Sequence, residues 1–165
     1  MNNLIVQKYG GSSLATLEQI DFVTKKIKKR LNDVNKIVIV VSAMGNTTDE
    51  LVALSENFLK DNKDVENLRD FDQLLSTGEI ISASLMSMSL RNNNVKAVSL
   101  TGQKAGIYTD ELHGSARIAS IDEKMILNEL INKDVVIVAG FQGVSGYGEV
   151  TTLGRGGSDT TAVAI

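Results

Sequence analysis

The densest set of groups that could bind or react lies at residues 151–162, TTLGRGGSDTTA. Its glycines can adopt φ > 0 and let a ligand approach the backbone closely; they are Gly154, Gly156 and Gly157. We expect Ser158 or Asp159 to cap a helix that begins here, and the free N–H groups and dipole of that helix would attract an anion. Arg155 could bind a carboxylate at two points through its planar guanidinium, and Asp159 supplies the opposite charge. A site with both signs suits a zwitterion such as an amino acid.

A second candidate loop, KYGGSS at residues 8–13, follows the first apolar segment of the chain. It places the cation of Lys8 at a strand end and the N–H groups of Gly10 and Gly11 at a helix start. The same physics makes a P-loop bind phosphate, although this loop is neither a Walker A sequence nor GxGxxG. Taken alone, Gly-Gly after a strand is more often a tight turn, so both interpretations stay open.

Glu79 is the third charged candidate, and it follows Gly78 inside an apolar helical pattern. Glycine in a helix costs ~1 kcal/mol relative to alanine, so its presence needs a reason. Either a ligand or a second backbone approaches closely here, or two shorter helices meet and Ser76 or Thr77 caps the second. Without further information Glu79 is interpreted as a solvated carboxylate in the first turn of a helix.

Two hydroxyl groups and a histidine complete the candidates. Ser42 and Thr48 follow an apolar strand, and Thr48 is expected to cap a helix, which does not exclude ligand contact. His113 lies in a polar segment and is expected to be a surface loop residue. No Ser-His-Asp arrangement and no paired-carboxylate spacing can be recognised.

The elements that must position these groups alternate between strands and helices. We predict strands at residues 4–8, 36–41, 95–100, 116–119 and 135–139, helices at 17–31, from 48, 65–91 and 122–131, and a hairpin at 145–152. Continuous apolar strands alternating with helices predict a three-layer α/β/α sandwich with a mainly parallel central sheet. Ligands bind such sheets at the carboxyl ends of the strands, where we expect the candidate loops to converge.

Length and composition bound the class of protein. The 165 residues suffice for one domain, and the net charge of −3 gives no indication of a nucleic acid or anionic membrane partner. The absence of cysteine excludes disulfides and thiolate chemistry, and a single histidine excludes a multi-histidine metal site; we predict no metal site. The start of the chain lacks the pattern of a secretory signal, and the longest apolar runs have five residues, so we expect a cytoplasmic protein.

Taken together, these segments resemble the aspartate kinase branch of the amino-acid kinase family. The matching stretches occur in the family's order and span nearly all of the chain. They are KYGGSS at 8–13, VVSAMGNTTD at 40–49, STGE at 76–79, TG at 101–102, HGSARI at 113–118, GFQG at 140–143 and TTLGRGGSDTTAVA at 151–164. Each stretch alone is weak or moderate evidence, but the ordered set is highly specific.

The resemblance implies transfer of the γ-phosphoryl group of ATP, bound with Mg²⁺, to the β-carboxylate of L-aspartate. The product would be 4-phospho-L-aspartate, on the way to lysine, threonine and methionine. Lys8 would stabilise the transferring group, and Gly10, Gly11 and Ser12 would bind phosphate through the loop. Asp159 would organise the charges around Lys8.

The resemblance also assigns the groups that hold aspartate. Arg155 would bind its α-carboxylate, and Glu79 would pair with its α-ammonium. Ser42, Thr48 and Ser158 would help to place the substrate.

Members of the family continue with the rest of the kinase domain, which holds most of the nucleotide site, and with regulatory ACT domains. We therefore expect residues 1–165 to be the substrate-binding part of a catalytic domain, with weak ATP binding and little or no activity alone. Ala162, Val163 and Ile165 would lack covering strands, and we expect a homo-oligomer. Two alternatives stay open: a family member acting on glutamate, carbamate or a nucleotide, and a non-catalytic module that binds an anion or serves in assembly.

Overall fold

A computed structural model describes residues 3–59 and 64–165. In chain order its elements are β1 (Leu4–Tyr9), a 3₁₀ helix (Gly11–Leu14), α1 (Leu17–Arg30), β2 (Lys36–Val41), α2 (Thr47–Leu59), α3 (Val65–Asn92), β3 (Ala97–Leu100), β4 (Ile107–Thr109), β5 (Ile118–Ile121), α4 (Lys124–Asn132), β6 (Val135–Ala139), β7 (Gln142–Val144), β8 (Val150–Thr152) and α5 (Gly157–Ala164). The central sheet has the order β1-β2-β6-β3, and all of its strand pairs are parallel.

Helices cover both faces of the central sheet, which explains why its inner strands are continuous apolar runs. On one face, Ile37, Ile39 and Val41 of β2 pack in a core with side chains of α1 and α3. On the other face, Val38 and Val40 pack in a second core with side chains of α4. The predicted three-layer α/β/α sandwich with a mainly parallel sheet is therefore confirmed.

A second sheet, which we did not predict, lies beside this sandwich. Its order is β5-β4-β7-β8, with antiparallel pairs β4–β5 and β7–β8 and a parallel pair β4–β7. A hairpin is present with Gly148 at its tip at φ +83°. Its second strand, β8, lies within the expected residues 145–152, but its first strand, β7, lies before them at Gln142–Val144. The strand expected at 116–119 runs over Ile118–Ile121. Strands as short as β4 and β7, with three residues each, hold too few positions for an alternating pattern to be recognised.

The helix α5 begins differently from the expectation. Its N-cap is Gly156, at φ +77°, and no side chain caps it, so the predicted caps Ser158 and Asp159 were wrong. Of the three glycines in this loop only Gly156 has a left-handed backbone. Beyond the loop, Ala162 and Ile165 pack against the second core, contrary to the expectation that they would be uncovered, whereas Val163 is 89% exposed. None of the helices in residues 3–59 and 64–165 is long and apolar enough to cross a membrane.

The helix α3 runs without interruption through Gly78, so the alternative of two shorter helices was wrong. A Cβ atom on Gly78 would lie 2.8 Å from the Cβ atom of Ala43, in the loop after β2. The glycine therefore allows a close approach between α3 and that loop, as the other alternative proposed.

We predict that Gly78→Ala destabilises the fold, although alanine is the better helix former. The overpacking against Ala43 should cost about 1–3 kcal/mol, which exceeds the gain of about 1 kcal/mol in helix propensity. Urea unfolding measures the difference, and Thr77→Ala, at the exposed neighbouring position, is the matched control. A more stable Gly78→Ala variant would contradict this prediction, because it would show that the structure around Ala43 accommodates the added methyl group without strain.

Candidate active site

A cleft of about 700 Å³ opens at the carboxyl ends of β1 and β2. It collects seven of the predicted site residues, which are Lys8, Ser42, Thr48, Glu79, Arg155, Ser158 and Asp159. Helix α3, the loops after β1 and β2, and the glycine-rich loop before α5 all contribute to its walls. The expected convergence of these segments is therefore present.

Gly10, Gly11 and Ser12 do not line this cleft. Gly11 begins the 3₁₀ helix, and its carbonyl oxygen accepts a hydrogen bond of 3.0 Å from the N–H of Gly45. A Cβ atom on Gly11 would lie 2.8 Å from the carbonyl oxygen of Ala43. The glycine thus lets the loops after β1 and β2 pack together, while phosphate binding by this loop stays a prediction.

Lys8 and Asp159 form an ion pair across the cleft, with 2.8 Å between Nζ and Oδ1. Asp159 lies in the first turn of α5, where a carboxylate also interacts favourably with the helix dipole. The two side chains are 28% and 68% exposed. An ion pair so open to water contributes little to stability, so Lys8 can exchange Asp159 for another anion at small cost.

Glu79 is the most constrained charge of the site. Its side chain is on α3, the residue is only 3% exposed, and Oε1 accepts a hydrogen bond of 3.0 Å from the N–H of Ala43. Oε2 is buried and has no hydrogen-bond partner among the residues that the structure describes. Burial raises the pKa of this carboxyl from 4.5 to about 7, and the bond from Ala43 opposes the shift. The interpretation of Glu79 as a solvated carboxylate was wrong.

Arg155 is exposed on the loop between Leu153 and Gly156. Within residues 3–59 and 64–165 its guanidinium makes no hydrogen bond or ion pair, although it lines the cleft. The loop itself is tightly packed at Gly157, where a Cβ atom would lie 2.8 Å from both Leu153 and the ring of Phe141. Phe141, which also lines the cleft, holds φ at +66°, an unusual conformation for a residue with a side chain. Arg155 thus has a well-packed base and a guanidinium available to a ligand.

The three candidate hydroxyl groups come from three different elements. Ser42 follows β2, Thr48 lies within the first turn of α2 rather than capping it, and Ser158 is buried in the first turn of α5. In the part of the chain that the structure describes, these hydroxyls make no hydrogen bond to protein. All three are therefore free to bind a polar ligand in the cleft.

A buried network behind the cleft was not foreseen. Asp72 on α3 is fully buried, and its carboxylate accepts hydrogen bonds from the hydroxyl of Thr152, the N–H of Gly114 and, at 2.8 Å, Nδ1 of His113. The side chain of His113 is 7% exposed, so the expected surface position was wrong. Asp72 and Glu79 are seven residues apart on one helix face. The sequence analysis missed Asp72, and its spacing from Glu79 is a signal that could have found it.

The whole described chain matches one family. The family model described as "Amino acid kinase family" covers residues 3–165. The chain belongs to the amino acid kinase family. This agrees with its three-layer fold and with the order of its loops.

The relatives of this family member include several aspartate kinases. An aspartokinase of Geobacillus stearothermophilus is 52% identical over 162 residues, which are 98% of this chain and 39% of that protein. The structure of an aspartate kinase from Synechocystis shares 42% identity with a TM-score of 0.78, over 98% of this chain and 26% of the other. E. coli aspartokinase III, solved in complex with aspartate and ADP, shares 26% identity with a TM-score of 0.81, over 98% and 46%. The chain thus spans about 39% of the length of its curated relative.

We predict that Glu79→Gln changes how stability depends on pH. The folded protein holds the Glu79 proton more tightly than the unfolded chain, so this group stabilises the fold below pH 4.5, and the contribution is lost as the pH rises through about 7. Relative to the unsubstituted chain, the free energy of unfolding of the variant should therefore rise between about pH 4.5 and about pH 7, by roughly 3 kcal/mol at most.

Urea unfolding at several pH values measures this difference. Glu50→Gln, which replaces an exposed carboxylate on α2, is the control and should keep the slope of the unsubstituted chain. Parallel stability curves for the Glu79→Gln variant and the unsubstituted chain would contradict the raised pKa.

Proposed function

We propose that this chain is the amino-acid-binding part of an aspartate kinase, which phosphorylates the β-carboxylate of L-aspartate with ATP. The observation that carries the proposal is the pair of open, opposite charges in one cleft. Glu79 presents a buried oxygen without a partner among the described residues, and Arg155 presents a guanidinium that likewise has none there. These groups complement the α-ammonium and α-carboxylate of an amino acid. The similarity to aspartokinases, one of them solved with aspartate and ADP, supports aspartate as that amino acid.

The proposed reaction needs no catalytic base. A β-carboxylate with a pKa near 3.9 is ionised at neutral pH, so one of its oxygens can attack the γ-phosphorus of ATP directly. The new P–O bond forms as the bond to the β,γ-bridging oxygen breaks, and ADP leaves with the electron pair. The protein's contribution is alignment and charge stabilisation, as is usual in phosphoryl transfer.

Lys8 is the group we propose to stabilise the transferring phosphoryl group. Its exposed ion pair with Asp159 keeps the ammonium at the cleft and is readily exchanged. Asp159 then organises the charge of Lys8 before and after transfer, and Ser42, Thr48 and Ser158 orient the amino acid. Phosphate contacts from Gly10, Gly11 and Ser12 are part of the same proposal.

In this proposal, Mg²⁺ is bound together with ATP. Among residues 3–59 and 64–165 no group of three or more His, Cys, Asp or Glu side chains could hold a metal ion. The described residues therefore offer no such site of their own, and we derive no step through the ion.

We predict that Arg155→Ala weakens L-aspartate binding by at least about tenfold, because it removes charge-assisted hydrogen bonds to the α-carboxylate. Isothermal titration calorimetry with the 165-residue chain measures the dissociation constant. Arg30→Ala, which removes an exposed arginine of α1 from its pair with Asp33, should bind as the unsubstituted chain does.

L-Glutamate is the matched ligand in the same experiment. Preferential binding of glutamate would favour a different substrate within the family. Binding of neither amino acid to the folded chain would overturn the proposed function.

We also predict that aspartate binding releases protons near pH 7. With the pKa of Glu79 at about 7, about half of the molecules carry the proton in the empty site, and pairing with an ammonium requires the ionised form. Calorimetry in buffers with different ionisation enthalpies should therefore show release of about half a proton per aspartate.

Succinate, which has the two carboxylates of aspartate but no ammonium, should not show this release, and neither should the Glu79→Gln variant with aspartate. Equal release with aspartate and succinate would argue against the pairing of Glu79 with the ammonium.

A further inference from the structure

The buried carboxylate of Asp72 accepts hydrogen bonds at both oxygens, and the proposed reaction does not use it. Oδ1 accepts from the hydroxyl of Thr152 and from the N–H of Gly114 at 3.1 Å. Oδ2 accepts from Nδ1 of His113 at 2.8 Å and from the same N–H of Gly114 at 3.1 Å. Both oxygens are therefore committed to protein groups, in contrast to those of Glu79, of which one is open.

The groups that Asp72 holds belong to one wall of the cleft. Gly114 and Thr152 both line it, and Arg155 follows Thr152 by three residues. Between them, the N–H of Leu153 donates to the carbonyl oxygen of Phe141 at 2.8 Å. The path from Asp72 to the base of the Arg155 loop is thus short and hydrogen-bonded.

Glu79 holds another part of the cleft from the same helix. Its hydrogen bond from the N–H of Ala43 ties α3 to the loop after β2, which begins with Ser42 and leads into the first turn of α2, where Thr48 lies. Seven residues are two turns of helix, so the two buried carboxylates lie on one face of α3 at a fixed separation. One helix therefore sets the relative position of both parts of the cleft.

We propose that Asp72 is a positioning residue, which holds the wall bearing Arg155 in place relative to Glu79 so that both can bind one amino acid. This inference rests on the proposed function, since it takes Arg155 and Glu79 as the groups that bind the amino acid. Asp72 itself does not touch the ligand. It acts through Thr152 and Gly114.

His113 connects the hydrogen bonds of Asp72 to the surface, and its ring nitrogens provide an NMR signal for them. A carboxylate only accepts hydrogen bonds, so Nδ1 of His113 carries the hydrogen that Asp72 receives. Its Nε2 lies 3.5 Å from Oε2 of Glu149, and Oε1 of Glu149 lies 3.7 Å from the guanidinium of Arg69. Because the chain contains one histidine, the ring nitrogen signals in an NMR spectrum report this contact without overlap.

The test compares Asp72→Ala and Asp72→Asn in the 165-residue chain. Asp72→Ala removes every acceptor, and we expect aspartate to bind at least about tenfold more weakly. The asparagine keeps one acceptor for Thr152 and Gly114, and its NH₂ group can donate to Nδ1 of His113 once the ring hydrogen moves to Nε2. Asp72→Asn should therefore restore binding to within about fivefold of the unsubstituted chain, with a switch of the His113 tautomer in the ¹⁵N spectrum.

The matched control is Asp21→Asn, which removes a carboxylate of α1 from its pair with Lys25, away from this network. It should change neither the binding nor the histidine spectrum. Folding of every variant is checked by thermal unfolding, and Asp72→Asn keeps the inference testable if Asp72→Ala does not fold. Unchanged aspartate affinity in a folded Asp72→Ala variant, or no rescue by a folded Asp72→Asn variant, would overturn the inference.

Hydrogen exchange of the backbone amides at residues 153–157 gives a readout that needs no ligand. Exchange should accelerate there in Asp72→Ala and stay unchanged in α1. If the unsubstituted chain fails to bind aspartate, the proposed function fails. The hydrogen-exchange comparison then still decides whether Asp72 holds the loop. If aspartate binds but Asp72→Ala does not change hydrogen exchange in the loop, the proposed function stands and the positioning role of Asp72 is overturned.

Discussion

The close approach of α3 to the loop after β2 is the contact on which the site depends. Gly78 lets the helix come so near that a Cβ atom there would lie 2.8 Å from the Cβ atom of Ala43. At this close approach Glu79, the next residue, accepts a hydrogen bond from the N–H of Ala43 and is buried. Burial in turn raises the pKa of the carboxyl to about 7, because water no longer solvates its charge. The ammonium of a ligand would stabilise the ionised carboxylate in place of the lost water. The close approach that Gly78 allows thus leads to a buried carboxyl whose ionised form favours a bound cation.

The charged groups of the site differ in how fully the protein satisfies them, and this difference suggests a division of labour. Asp72 is bonded at both oxygens and serves the structure. Lys8 and Asp159 are paired, but their contact is open to water and easily exchanged. Glu79 keeps one oxygen, and Arg155 its whole guanidinium, without a partner in the part of the chain that the structure describes. The groups left open are those that an amino acid would complete.

The sequence predicted the central sheet well because its signals are local. The runs at 36–41 and 135–139 are β2 and β6 with the predicted bounds, since a strand covered on both faces must be apolar throughout. The site was predicted as a set of residues, but their environments depend on distant partners. His113 was misplaced because Asp72, which holds it, is 41 residues away, and the burial of Glu79 follows from a contact with Ala43, 36 residues away. Strands of three residues, such as β4, carry no pattern long enough to detect.

The ion pair of Lys8 and Asp159 joins the two loops that the sequence marked as anion-binding. The cleft also holds Asp49, so the cations of Lys8 and Arg155 share it with the carboxylates of Asp49 and Asp159 and with the carboxyl of Glu79, which is protonated in about half of the molecules near pH 7. Of these carboxylates, Asp159 is the one that pairs with Lys8 in the described residues. In the proposed reaction, a phosphoryl group, which carries more negative charge than a single carboxylate, would compete with Asp159 for Lys8. Because Asp159 belongs to α5 and Lys8 to β1, their ion pair links the first turn of that helix to the end of the first strand, and it links them through side chains alone.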